Sequence, residues 1–96
     1  MRLTFHVEAD AEVTEAARYY ELQVEDLGVS FLEELDAALD RIIAHPKASS
    51  LVGRDVRRAV LRRFPYSVFY AIESDRIRII AVAHQKRRPN YWLDRL

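Results

Sequence analysis

The sequence contains no cysteine, and only two of its 96 residues are glycine and three are proline. Without cysteine the chain can form neither a disulfide nor a thiolate metal site, a composition that is compatible with a reducing cytoplasm. No glycine-rich loop is present to cradle a phosphate, and no spacing of His, Asp and Glu is typical of a metal site. We therefore expect neither a metal nor a nucleotide cofactor.

Long hydrophobic runs are also absent. Each apolar run falls well short of the roughly 20 residues that a membrane-spanning helix needs. The chain begins with Met1-Arg2 and continues into strand-like residues rather than a signal peptide. These features predict a cytoplasmic protein that does not contact membranes. The length, with half of the residues hydrophobic, predicts a single domain over residues 1–96.

Charge is balanced over the whole chain but not within its halves. Residues 1–48 contain four Lys/Arg against eleven Asp/Glu, a net charge of −7, whereas residues 49–96 contain eleven against four, a net charge of +7. Two interpretations follow: acidic helices pair with a basic sheet inside the protein, or basic side chains are free to bind an anionic partner.

Hydrophobic spacing in the N-terminal half predicts a strand followed by two helices. Alternation over residues 2–7 is typical of a half-buried strand. Asp10 is the expected N-cap of the first helix. Ser30 and Glu33 have the spacing of a capping box, which predicts where the second helix begins, and Pro46 ends it. The short link between the helices predicts an antiparallel hairpin.

From residue 56 onward the hydrophobic period changes to two. This period predicts three strands joined by short links, and therefore an antiparallel meander, over residues 56–61, 66–72 and 77–84. Tyr66 and Tyr70 share strand parity and are expected to face the helices as core residues. The predicted fold class is α+β with the order β-α-α-β-β-β, the hairpin covering one sheet face, and a short helix or extended tail at the C-terminus.

Two segments resemble a known family. Residues 62–70, RRFPYSVFY, resemble the strand–turn–strand signature of the RelE/ParE superfamily of type II toxin–antitoxin systems, and residues 79–89, IIAVAHQKRRP, resemble its last strand and basic tail. The order of the predicted strands and helices also resembles this family, so the resemblance covers nearly the whole chain. It implies a toxin of the kind associated with plasmid stabilisation, which a cognate antitoxin protein neutralises. The expected assembly is a homodimer or a heterotetramer with the antitoxin.

RelE-like members of the superfamily cleave messenger RNA on the ribosome without a metal. Such cleavage needs proton-transfer groups and cations placed over the phosphate. If this chain is such an endoribonuclease, its catalytic residues are expected to be His84, Arg58, Arg88 and Tyr91. The RelE pattern, however, has an arginine after the strand tyrosine, where this sequence has Ser67, and this difference argues against RNA cleavage.

ParE-like members inhibit DNA gyrase without cleaving RNA, and this chain resembles them more closely. On this interpretation nothing is catalytic, and the last strands and the basic tail bind the target. Trp92 is expected either to join that surface or to cover the sheet edge. A third alternative is a member that has lost toxicity and remains a binding module. The predicted target-binding residues are Arg57, Arg58, Arg62, His84, Lys86, Arg87, Arg88 and Trp92.

Overall fold

The computed structural model describes residues 1–96 as a five-stranded sheet with two helices packed on one of its faces. This architecture confirms the predicted α+β class and the order of its elements. Neither helix combines the length and the hydropathy needed to cross a membrane. The elements are β1 (Arg2–Phe5), α1 (Val7–Gln23), α2 (Leu27–Ala44), β2 (Ser50–Gly53), β3 (Val56–Val60), β4 (Tyr66–Ile72), β5 (Arg76–His84) and a 3₁₀ turn (Leu93–Arg95).

The sheet has the order β1-β5-β4-β3-β2, and β1 and β5 are its one parallel pair. The predicted meander is β3–β5, to which the structure adds β2 at the outer edge. All four residues of β2 are exposed, so no alternation of burial marks the strand in the sequence. The turn from β2 into β3 places Gly53, Arg54 and Asp55 at positive φ, a rare backbone conformation that composition alone does not predict.

The first strand is shorter than predicted, and the first helix begins earlier. The last backbone hydrogen bond between the N-terminal segment and β5 is donated by His6 N to Ile79 O (2.8 Å), and the chain then turns into α1. His6 caps the helix, because its Nδ1 accepts a hydrogen bond from Glu8 N (3.1 Å). The predictions of a strand reaching Val7 and of Asp10 as the cap are therefore wrong; Val7 lies in the first helical turn and is 76% exposed.

The second helix also begins before its predicted start. A carboxylate from α1 caps it: Glu21 accepts hydrogen bonds from Asp26 N (2.9 Å) and Gly28 N (3.0 Å), two of the amides that helix geometry leaves free. The predicted capping box of Ser30 and Glu33 is wrong for this reason. Ser30 already lies inside α2, where its hydroxyl donates to Asp26 O (3.2 Å).

Gly28 sets how closely the two helices approach. A Cβ at this position would lie 2.5 Å from Ala17 O and 3.0 Å from the Glu21 side chain, so only glycine fits between α1 and α2 here. The hairpin is thus fixed at its closed end by a side-chain cap and by a close backbone contact.

The main core lies between the helices and the sheet, and a smaller apolar cluster lies on the opposite sheet face. Tyr70 is fully buried in the main core and Tyr66 packs against it, as strand parity predicted; the Tyr70 hydroxyl donates to Pro46 O (2.7 Å). In the smaller cluster, Trp92 from the C-terminal segment packs with Val56, Ile80 and Ala81. The helices therefore cover one face, and the tail covers part of the other.

Candidate functional site

A cleft of about 210 Å³ opens between the sheet face away from the helices and the loop that follows β5. We call it the basic cleft. Strands β2–β5 form its floor, and residues 85–92 form its wall. It is lined by Val52, Arg58, Ser67, Phe69, Ala83, His84, Gln85, Arg87, Arg88, Pro89, Asn90, Tyr91 and Trp92.

The basic cleft contains three arginines and a histidine, and no Asp or Glu lines it. Arg58, Arg87 and Arg88 are exposed and take part in none of the ion pairs in the structure. Acidic groups of the N-terminal half do reach basic partners elsewhere, through Arg63 with Glu34 and Arg95 with Glu8 and Glu12. Internal ion pairs therefore leave these three arginines unpaired, although Arg87 and Arg88 also border a neighbouring depression that is lined by Glu8 and Asp94.

Arg58 is oriented by Ser67, the residue that stands where RelE-like proteins carry an arginine. The Arg58 Nε donates to the Ser67 Oγ at 3.0 Å. The serine is buried. In the sheet, Arg58 of β3 lies opposite Phe69 of β4, which is two residues after Ser67 and shares its strand parity. The hydrogen bond anchors the arginine by one nitrogen, and the two terminal nitrogens of its guanidinium remain available to a ligand.

His84 ends β5 beside the cleft, and its ring orientation is set by the backbone. Its Nδ1 accepts a hydrogen bond from Lys86 N (3.0 Å). The neutral ring therefore carries its proton at Nε2 and is a hydrogen-bond donor through that atom. The nitrogen that could accept a proton as a general base is already engaged by the main chain.

Tyr91 forms part of the cleft wall and supports Arg87. The guanidinium carbon of Arg87 lies 4.1 Å from the centroid of the Tyr91 ring, a cation–π contact. The Tyr91 hydroxyl donates to Glu12 Oε2 at 2.6 Å. Burial, followed by this hydrogen bond and the negative charge of Glu12, raises the pKa of Tyr91 far above its ordinary value. The hydroxyl thus stays protonated and directed at Glu12.

Glu12 and Arg95 hold the cleft wall against the sheet. Glu12 accepts hydrogen bonds from Val82 N (2.9 Å) and from both terminal nitrogens of Arg95 (each 2.9 Å), and Arg95 donates to Ile80 O (3.1 Å). These contacts satisfy main-chain groups on the edge of β5 that β1 leaves unpaired beyond Ile79, while β4 pairs with the other edge. The two side chains are only 13% and 7% exposed.

The Glu12 carboxylate is ionised in this network. Burial alone would raise the pKa of Glu12. The hydrogen bonds from Arg95, Tyr91 and the Val82 amide, together with the positive charge of Arg95, outweigh burial and lower the pKa. Arg95 Nε also lies 3.0 Å from the exposed carboxylate of Glu8, in a contact that is not aligned as a hydrogen bond.

The structure brings together Arg58, His84, Arg87, Arg88 and Trp92 from the predicted target-binding set, and Tyr91 from the predicted catalytic set. The indole of Trp92 is buried, with the residue 2% exposed, so it covers the sheet and offers little surface to a partner. Lys86 is exposed beside the cleft but does not line it.

Two predicted residues lie away from the cleft. Arg57 has the opposite strand parity to Arg58, and its guanidinium donates to Lys47 O (3.1 Å) and Ser49 O (2.7 Å), which tie the loop after α2 to β3. Arg62 is exposed in the link between β3 and β4 and does not line the cleft; it lines a neighbouring depression that Arg58 also borders. Neither residue lines the basic cleft, and their role in binding the target stays a prediction.

Several cleft residues were not singled out by the sequence. Val52 comes from the strand that was not predicted, and Asn90 occupies a positive-φ position in the wall. The Glu12–Arg95 pair joins residues 83 positions apart, and no local pattern marks such a pair. The one signal in the sequence was Arg95, an arginine without an assigned role that follows the basic residues 86–88.

Comparison with known proteins identifies the family and agrees with the fold. The sequence matches the family described as the ParE toxin of the type II toxin–antitoxin system, parDE, over residues 3–89. Among solved structures, one titled as the chromosomal ParDE toxin–antitoxin system from P. aeruginosa superposes with a TM-score of 0.77 at 17% identity, covering 88% of this chain and 95% of that chain. A comparison with curated protein sequences found no match.

Proposed function

Because the chain belongs to the ParE toxin family of type II toxin–antitoxin systems, we propose that it inhibits DNA gyrase in the cytoplasm by binding through the basic cleft. The observation that carries the proposal is that Arg58 on the sheet and Arg87 and Arg88 on the loop after β5 line one cleft and form no ion pair. Exposed arginines are common at the centre of protein interfaces, where their guanidinium groups make several hydrogen bonds at once.

The states of the proton-transfer candidates favour binding over RNA cleavage. The cleft does bring together all four residues named for an endoribonuclease. However, the Tyr91 hydroxyl donates to Glu12, and the His84 Nδ1 accepts from the main chain. A general base needs an unprotonated atom with a free lone pair. The Nδ1 lone pair of the neutral His84 ring is engaged, and the raised pKa of Tyr91 keeps its hydroxyl protonated. Ser67, in place of a second phosphate-directed arginine, binds Arg58 instead.

We further propose that the cognate antitoxin covers the helical hairpin. Large apolar side chains remain exposed there, and a partner that buries them gains hydrophobic stabilisation at roughly 25 cal/mol per Å². Such binding to the folded toxin would also raise its thermal stability by mass action. The exposed large apolar residues of the hairpin and its link are Val7, Tyr19, Leu22, Val24, Val29, Leu32 and Ile43.

Induction of the toxin alone in bacteria tests the proposal. Gyrase inhibition predicts filamentous cells with DNA damage, while translation continues during the first generations. Rapid loss of translation would contradict the proposal and support RNA cleavage. Unimpaired growth with the folded protein present would contradict it and support a binding module without toxicity. Co-expression of the cognate antitoxin serves as the control and should restore growth.

A further inference from the structure

We propose that the surface that binds the target continues from the basic cleft around the edge of the sheet, into a second depression at the C-terminal end of α2. This depression takes an extended acidic segment of the same protein that occupies the cleft. The inference rests on the proposed function for the identity of that protein, while its evidence is the charge and the open backbone of the depression itself.

The second depression, which we call the α2 depression, has a volume of about 410 Å³ and lies between the last turns of α2 and the edge of β3. No Asp or Glu lines it, whereas three arginines and a histidine do: Arg41, His45, Arg58 and Arg62. All four are exposed, and none of the arginines forms an ion pair. The helix dipole explains a cation in the last turn of α2, but not the arginines that β3 and the next link contribute. The charge of the depression therefore complements an acidic partner.

Arg58 connects the α2 depression to the basic cleft, because this residue lines both of them. On one side of Arg58 lie Arg87 and Arg88 of the cleft wall, and on the other side lie Arg41 and Arg62. A protein that occupies the cleft is therefore brought directly to the α2 depression, and one acidic segment can contact both groups of arginines.

The open edge of β3 favours a peptide over other anions. β2 pairs with β3 only as far as Arg58, whereas β3 continues to Val60. Backbone groups of successive strand residues point alternately to the two sides, and Leu61 N donates to Tyr66 O on the β4 side. The N–H and C=O of Val60 therefore face the open edge, where an added strand can pair with them. Val60 is also 48% exposed and offers an apolar contact that the backbone of a nucleic acid would not use.

The rim of the α2 depression is fixed before a partner binds. The loop after α2 forms part of this rim and is held to the sheet at two points. The Tyr70 hydroxyl donates to Pro46 O at 2.7 Å, and Arg57 donates to Lys47 O and Ser49 O at 3.1 and 2.7 Å. A binding site that is already ordered lowers the entropic cost of association.

Binding of purified DNA gyrase to the toxin in the absence of DNA tests the inference. We would use biolayer interferometry to compare the native chain with Arg41→Glu/Arg62→Glu, whose two side chains are exposed and lie outside the cleft. Charge reversal at two contacts should weaken binding at least about tenfold. The matched control is Arg18→Glu/Arg54→Glu, which changes the net charge equally at exposed arginines that line neither site. The control should bind gyrase like the native chain.

Val60→Pro tests the added strand independently of charge. Proline has no N–H to donate to a partner, and a sheet tolerates it where the N–H faces an open edge. Loss of one backbone hydrogen bond should weaken gyrase binding by about 2- to 12-fold. Val60→Thr, which keeps the N–H and a β-branched side chain, is the control and should bind like the native chain. Circular dichroism verifies the fold of each variant, and the charge variants decide alone if Val60→Pro does not fold.

The inference is overturned if the folded Arg41→Glu/Arg62→Glu variant binds gyrase like its control. It is also overturned if the two double variants differ only when DNA is present, since the depression would then contact nucleic acid. Loss of antitoxin binding with unchanged gyrase binding would overturn it as well, by giving the depression to the antitoxin. In each of these cases Arg88→Gln should still weaken gyrase binding, and the proposed function stands. A native chain that never binds gyrase removes the proposed function and this inference together.

Discussion

Replacing Glu12 with glutamine should destabilise the protein strongly, because Glu12 is the counter-charge of a buried arginine. The carboxylate accepts four hydrogen bonds, from Val82 N, the Tyr91 hydroxyl and two nitrogens of Arg95. Glutamine has nearly the same shape, but one of its two terminal atoms is a donor. It would therefore face donors on Tyr91 or Arg95 with a further donor.

The magnitude follows from the burial of the pair. Removing one partner of a buried ion pair costs about 3 to 5 kcal/mol. The lower end applies here, because Arg95 keeps its bond to Ile80 O and its contact with the exposed Glu8. We expect Glu12→Gln to lower the free energy of unfolding by about 3 kcal/mol, which corresponds to a fall in Tm of roughly 12 to 24 °C for a domain of this size.

The dependence on pH gives a second, independent signature. The pKa of Glu12 is lower in the folded protein than its ordinary value of 4.5. Its contribution is therefore complete above pH 4.5 and is lost as the pH falls through the folded-state pKa. The variant has no such group. The stability difference between the two proteins should be constant near neutrality and should shrink in acid.

Urea denaturation followed by circular dichroism, at about pH 7 and again in acid, measures both effects. Glu15→Gln is the matched control, an exposed carboxylate on the same helix, and should change stability by no more than about 0.5 kcal/mol. A loss below about 1 kcal/mol for Glu12→Gln, or a stability difference that stays the same in acid, would contradict this prediction.

Three further predictions concern packing and the antitoxin. Gly28→Ala should destabilise the fold by about 1 to 3 kcal/mol in urea denaturation despite the better helix propensity of alanine, because its Cβ would meet Ala17 O; a more stable variant would contradict this. Tyr70→Phe should cost about 1 to 3 kcal/mol by leaving Pro46 O without its donor, and an unchanged midpoint would count against it. Leu22→Asp should leave toxicity intact but weaken rescue by the antitoxin in growth assays; full rescue would exclude this part of the hairpin from the interface.

Strong periodicity made most of the fold predictable from the sequence. The stripe along α2 and the alternation of β4, which places Tyr70 inward, reflect burial on one face and so appear directly in the residue order. Helix starts were not predictable, since the cap of α2 is Glu21, a side chain from another helix. β2 was not predicted because this edge strand is exposed on both faces, so its sequence has no hydrophobic alternation.

The cleft was partly predictable from the positions of charged residues and the order of the strands. Arg58 and His84 lie on strands that the meander places close together, so charge counting and strand order were sufficient to group them. Parity separates Arg57 from Arg58, and Arg57 donates to Lys47 O and Ser49 O instead of lining the cleft. The support by Glu12 and Arg95 depends on contacts between opposite ends of the chain, which no local pattern encodes. The same holds for the burial of Trp92.

The most direct test of the account is supercoiling by purified DNA gyrase in the presence of the toxin and of its Arg58→Glu/Arg88→Glu variant. Both side chains are exposed, so the variant should fold, which circular dichroism and thermal denaturation would verify. The native chain should inhibit supercoiling, and the charge-reversed variant should not, while Arg18→Glu should inhibit like the native chain. Full inhibition by the folded double variant would show that the basic cleft is not where this toxin binds its target.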